Sequence, residues 1–125
     1  MTCTVQELNI VRGVSKTLRL TVVDEDGDAV DLTDAVVYFS VKILLSDAEA
    51  VIEKTSETPA DITILAQSGD TLGKADIFLV PSDTLSLSAE KHYYDVWVEL
   101  VTGARYCVVS PSAFWIRRGV TDWTV

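Results

Sequence analysis

Leu18-Arg19-Leu20-Thr21-Val22-Val23-Asp24-Glu25-Asp26-Gly27-Asp28-Ala29-Val30-Asp31-Leu32-Thr33-Asp34-Ala35-Val36-Val37-Tyr38-Phe39-Ser40-Val41-Lys42 is the stretch whose reading decides the fold. In its first part Leu18, Leu20 and Val22 point one way while Thr17, Arg19 and Thr21 point the other, the period-2 alternation of a strand buried on one face. Asp24 to Asp28 end that run with turn chemistry, since Gly27 accepts a positive φ and aspartates bond their own backbone. Ala35, Val37, Phe39 and Val41 then alternate with Val36, Tyr38, Ser40 and Lys42. Two strands that are apolar on one side cannot cover themselves, so further strands must complete a two-layer core.

Working outward, Val5 to Val11 reads as a first strand that turns at Arg12-Gly13. Leu32, in the connection after the acidic turn, is expected to reach back to the core. Residues 46–56 fit either a capped short helix or a hairpin tip; β-branched Val51, Ile52 and Thr55 favour the hairpin, with a strand from Val51 to Ser56. Asp61 to Leu65 is a short strand, Gln67 to Gly73 a polar connection. Next, Ala75, Ile77 and Leu79 alternate with Asp76, Phe78 and Val80. Pro81-Ser82-Asp83-Thr84 suits one helical turn.

The clearest alternation runs from His92 to Val101, with Tyr94, Val96, Val98 and Leu100 on one side and Tyr93, Asp95, Trp97 and Glu99 on the other. Thr102-Gly103-Ala104 turns into a hairpin partner, Arg105 to Val109. Pro111 cannot donate to a sheet ladder, so that strand must be bulged or at an edge before it resumes at Phe114 to Ile116. The sum is an all-β, immunoglobulin-like antiparallel β-sandwich of about eight strands with at most one short helical turn, a single domain over 1–125 with a C-terminal tail over about 117–125.

The 125 residues fit one domain with a real core. An apolar content of 48% in short runs excludes a disordered chain, and no apolar stretch approaches the ~18 residues of a membrane span. A formal charge of -9, with Lys and Arg scattered apart from the pair Arg117 and Arg118, argues against nucleic acid as partner and for a solvated acidic surface. Met1-Thr2-Cys3-Thr4 lacks the features of a signal peptide, from which folding in a reducing cytoplasm is expected. Cys3 and Cys107 are then free thiols serving as small buried apolar groups, with a disulfide as the lesser alternative if the first and last strands are neighbours.

Few residues invite chemistry. The turn Asp24-Glu25-Asp26-Gly27-Asp28, with Asp31 and Asp34 near, raises calcium, which needs six to eight converging oxygens. Its glycine comes too early for an EF-hand loop and no bidentate glutamate follows, so a solvated hairpin tip is expected. His92 is the only histidine, which rules out a multi-histidine metal site. A nucleophile-base set would have to join Cys107 or a serine to His92 and an acid such as Asp95, and no GxSxG elbow, phosphate loop or CxxC accompanies them. His92 is expected to open its strand at the surface. No catalytic, cofactor or metal residue is assigned, and no cofactor is expected.

The aromatic residues say more. Tyr93 and Trp97 face outward, as Phe78 does on its own strand, and Tyr38 and Trp115 are expected to join them. Large rings on the outside of a sandwich are candidates for an interface core. The competing reading is that a tail or loop of the same chain covers them. Trp123, in the tail, would cover its own sheet or plug a neighbour.

The run quoted at the opening, followed in order by Ala60-Asp61-Ile62-Thr63-Ile64, Gly73-Lys74-Ala75-Asp76-Ile77, Pro81-Ser82-Asp83-Thr84 and Tyr93-Tyr94-Asp95-Val96, resembles the immunoglobulin-like N-terminal domain of tailed-phage baseplate upper proteins and related phage tail proteins. It covers Leu18 to about Ile116. The resemblance implies a non-enzymatic virion or prophage component, assembled in the host bacterial cytoplasm, whose partners are other phage structural proteins or further copies of itself. Baseplate upper proteins continue into helical and receptor-attachment regions, so a small accessory tail, baseplate or neck component is the form expected here. A carbohydrate-binding sandwich, with Trp97, Tyr93 and Phe78 stacking on sugars, is the alternative.

Overall fold

The computed structural model describes residues 6–120. It is an all-β sandwich of two unequal sheets: β1 (Leu8–Val11), β8 (Arg105–Arg117), β7 (Lys91–Glu99), β3 (Val36–Lys42) and β4 (Ile52–Thr55) in that spatial order, against β2 (Lys16–Thr21), β6 (Lys74–Leu79) and β5 (Ile62–Ile64). Among the described residues, helical structure is confined to one α-turn, α1 (Pro81–Thr84), at the expected place, and a 3-10 turn over Gly69–Thr71 inside the polar connection. No helix among the described residues is long and apolar enough to cross a membrane.

Alternation builds the core as expected. Val37, Phe39 and Val41 from β3, Ala75, Ile77 and Leu79 from β6, and Tyr94, Val96 and Val98 from β7 are buried together, and Leu32 does reach back to join them. At the centre Phe39, Tyr94 and Phe114 form a ring cluster with centroids 5.6–6.3 Å apart, tilted or edge-on as the ring quadrupoles prefer. Residues 46–56 do lie in a hairpin, with Ile52–Thr55 paired antiparallel to Tyr38–Val41.

Three details depart from the sequence reading. β1 begins at Leu8 and runs parallel to β8, Leu8 opposite Phe114, while its neighbours pair antiparallel. His92 is buried at 1% exposure rather than at the surface, because it shares the inward parity of Tyr94 and Val96; its Nδ1 lies 3.1 Å from the Glu90 carbonyl, which can only accept, so Nδ1–H donates. Cys107 is disulfide-bonded and not a free thiol; the first and last strands are indeed neighbours, and Cys3 lies outside the described residues.

At Pro111, β8 is bulged, one of the two arrangements that the sequence allows. Tyr94 pairs with Ser112 and Val96 with Val109, so Ser110 and Pro111 together oppose Asp95; one step on, Trp97 pairs with Cys107, leaving Val108 as a second extra residue. Two bulges therefore restore the register around the proline. They also explain how consecutive Val108 and Val109 are both buried.

Turns and one ion pair lock the layers. The Gln67 side-chain oxygen accepts from the N–H of Leu32 (2.8 Å) and of Gly73 (2.9 Å), tying two connections together. Gly73 has φ +77°, and a Cβ there would stand 2.8 Å from the Val22 carbonyl oxygen and 3.1 Å from that of Val30. On the opposite side, Lys54 is buried on β4 and reaches Asp83 of α1 at 2.9 Å, with Asp61 at 4.0 Å.

Gly73→Ala meets both backbone strain and fixed carbonyls, so chemical denaturation should read a loss of ~2–4 kcal/mol. Gly27→Ala, at φ +82° but in open space, should lose only ~1 kcal/mol. Burial pushes the Tyr94 phenol from 10.0 up to about 12, while its hydroxyl donates to the Gln6 carbonyl at 2.5 Å. Between those two pH values the unfolded chain loses this proton first, so the folded state holds more protons and stability falls as pH rises through the window. The loss should reach ~2–3 kcal/mol, and Tyr94→Phe should flatten that part of the stability-pH curve.

Candidate functional site: the outer face of the larger sheet

Because inward residues are fixed by the core, the opposite parity of β3, β7 and β8 forms one outer face. It carries Tyr38 and Trp97 as a direct cross-strand pair, Tyr93 opposite Ala113 and Lys42, and Trp115 opposite Lys91 and Asn9. Four of the six aromatic residues singled out in the sequence thus share a surface. Phe78 does not: it stands on β6, on the outside of the smaller sheet. Trp123 lies outside the described residues.

The two ends of the face differ. At one end cations already lie on the rings: Lys91 Nζ is 5.0 Å from the Tyr93 centroid and 5.9 Å from that of Trp115, and the Arg117 guanidinium carbon is 4.7 Å from Trp115. At the other, Tyr38 and Trp97 remain 36% and 40% exposed beside a shallow groove of about 450 Å³ that Glu99 and Arg105 also line. The Trp97 indole N–H donates to Asp95 at 3.0 Å, and Arg105 bonds Glu99 at 2.5 Å, so the ring and the rim are held in place. Glu99 keeps the Arg105 guanidinium protonated, raising its pKa by hydrogen bond and charge.

A second apolar element joins this face and was missed in the sequence. Ile43, Leu44 and Leu45, at the tip between β3 and β4, are 41%, 55% and 59% exposed, and Leu45 leans with Tyr93 and Pro111 around a pocket of about 160 Å³. The available signal was the run Val41-Lys42-Ile43-Leu44-Leu45, in which three consecutive apolar residues break period 2 where the chain leaves the strand. Such an exposed run is costly to keep unless something uses it.

Electrostatics sets the face apart as well. Its outward positions place Lys42, Lys91, Arg105 and Arg117 among Glu53, Asp95 and Glu99, a balanced set on a chain of net charge -9. An apolar surface that is nearly neutral repels an acidic neighbour least.

The other sequence candidates assemble into less. Asp24, Asp26 and Asp28 bring carboxylate oxygens within 4.8 Å of one another, but Asp24 Oδ1 accepts from the Asp26 and Asp28 N–H groups at 2.9 and 3.0 Å, which is turn chemistry at a hairpin closed by Val23 and Ala29. Asp31 is occupied separately: the Thr33 hydroxyl and N–H hold its carboxyl below the usual range. His92 faces the core, Asp95 the opposite side and Cys107 is oxidised, so that nucleophile-base set is dispersed.

No protein-family model and no curated protein matches the chain.

Trp97 and Phe114 separate surface from core. Trp97→Ala should cost ~1–2 kcal/mol, little beyond its cross-strand pair with Tyr38, whereas Phe114→Ala should cost ~3–5 kcal/mol, both read by urea unfolding.

Proposed function

We propose that this protein is a non-enzymatic structural component of a phage or prophage tail, baseplate or neck, acting through protein-protein contacts on the outer face of its larger sheet. The observation that carries the reading is the union of exposed Tyr38 and Trp97 with the apolar tip Leu44–Leu45 on one nearly neutral face. Aromatic anchors flanked by polar pairs are the composition of interface cores. The ordered resemblance to phage tail domains supplies the class of assembly, with the virion as destination and other structural proteins or further copies as partners.

A carbohydrate-binding module is the second reading, favoured by the groove in which Tyr38 and Trp97 stand beside Glu99 and Arg105. The three-ring platform of Trp97, Tyr93 and Phe78 is split between two faces, so this reading now rests on Tyr38 and Trp97 alone.

Light scattering coupled to size exclusion and a glycan array distinguish the two. Assembly predicts concentration-dependent mass, or capture of tail proteins from a phage lysate, that Trp97→Ala and Leu45→Ser each weaken at least ~tenfold, a hot-spot-sized loss, while the melting curve stays cooperative. Glycan binding abolished by Trp97→Ala, with mass unchanged and no virion association, would favour the sugar reading.

A further inference from the structure

Cys107 is disulfide-bonded, and the chain holds one other cysteine, Cys3. Cys107 stands directly opposite Trp97 in the pairing of β7 with β8 and is half-buried. On its other side β8 is flanked by β1 from Phe114 to Arg117, so among the described residues its edge over 105–109 carries no strand. The chain leading back from β1 is aimed at that edge. The Gln6 N–H donates to the Ser112 hydroxyl at 3.0 Å, and the Gln6 carbonyl accepts from the Tyr94 hydroxyl, so Gln6 is pinned at the level of Ser112. Gln6 also stands at the mouth of a depression of about 280 Å³ between the layers, with Val108 and Val109 of β8 on one wall and Leu20 and Thr21 of β2 on the other.

Register decides whether Cys3 can reach Cys107. Ser112 and Cys107 are five apart in sequence, yet the bulges set them opposite Tyr94 and Trp97, which are three apart. Cys3 likewise stands three residues before Gln6. Three residues of extended chain cover ~10 Å, the rise of three positions on a neighbouring strand. The chain is thus long enough to bring Cys3 beside Cys107 at the separation of adjacent strands, which a disulfide bridges without backbone movement. Without the bulges it would stop two residues short.

We propose that Cys3 and Cys107 form a redox-controlled strap: the protein folds as the dithiol, and the bond closes once it leaves a reducing compartment, holding the N-terminal segment along the open edge of β8. Disulfides do not persist in a reducing cytoplasm, and a half-buried Cys107 is within reach of a small thiol or disulfide. Closure runs by exchange with a small disulfide such as oxidised glutathione. One cysteine thiolate attacks it, expelling one glutathione thiolate and leaving a mixed disulfide. The second cysteine thiolate then displaces the other glutathione. Two protein thiols are oxidised, one glutathione disulfide is reduced to two thiols, and the two cysteine protons pass to them. The closed strap ties down a loop of roughly a hundred residues, which restricts the unfolded chain, and it denies the edge of β8 to a strand from another molecule.

The test uses the full chain equilibrated with oxidised or with excess reduced glutathione. Peptide mapping without reductant should find Cys3 joined to Cys107 in the first state, and alkylation should label both thiols in the second. The reduced protein should still melt cooperatively, with its midpoint roughly 10 °C lower. Amide hydrogen exchange should quicken at residues 6–11 and 105–109 on reduction while 36–42 stay protected. Cys3→Ser, which touches no described contact, should show the reduced protein's midpoint with either form of glutathione. Joining of Cys107 to a second copy, thiols that stay free in oxidised glutathione, a bond that reduced glutathione leaves closed, a reduced chain that is unfolded, or exchange at 105–109 indifferent to reduction would each overturn the proposal.

Discussion

Everything in this molecule depends on one constraint, the strict alternation of side chains across the pairing of β3 with β7. With Phe39 opposite Val96 and Val41 opposite Tyr94, the ring cluster of Phe39, Tyr94 and Phe114 is sealed between the layers. The same register puts Tyr38 opposite Trp97 on the outside. A slip of one residue would exchange every inward for every outward group, drive Trp97 and Asp95 into the core and expel Val96. Core and surface are thus two readings of a single register, and the exposed rings cannot be hidden by any small rearrangement of the sheet.

That constraint is also why the fold was legible. Alternation in Leu18–Val22, Ala35–Lys42, Ala75–Leu79 and Tyr94–Val98 assigns faces without further information, and the turn chemistry at Gly27, Pro81 and Gly103 punctuates them. The burial of His92 was legible by the same rule and was misjudged on polarity: parity with Tyr94 outweighs the cost of enclosing a ring that the Glu90 carbonyl can satisfy. What did not follow from local pattern are features set by distant partners. The parallel docking of β1 on β8 and the close approach of Gly73 to two carbonyls depend on chain segments far away in sequence.

The functional surface was legible in part for the same reason. Tyr38, Tyr93, Trp97 and Trp115 fall on one face because their strands are neighbours, whereas Phe78 has the same outward parity on the other sheet and so looks the opposite way. Parity tells inside from outside; it does not tell one outside from the other. The Leu44–Leu45 tip carries no parity: the sequence shows it only as a run that breaks period 2, and its place beside Tyr93 and Pro111 comes from the fold, through Leu45.

The buried contact of Lys54 with Asp83 gives that tip a mechanical character. β4 is four residues long and stands at the sheet margin, too short an anchor for the hairpin it terminates. Lys54 rivets it to the far layer through α1, whose Thr84 hydroxyl accepts from the Gly13 N–H where the chain crosses from β1 to β2. Two polar contacts, Lys54 with Asp83 and Gly13 with Thr84, thus join the margin that carries the hairpin to the crossing between β1 and β2 through the single turn of α1.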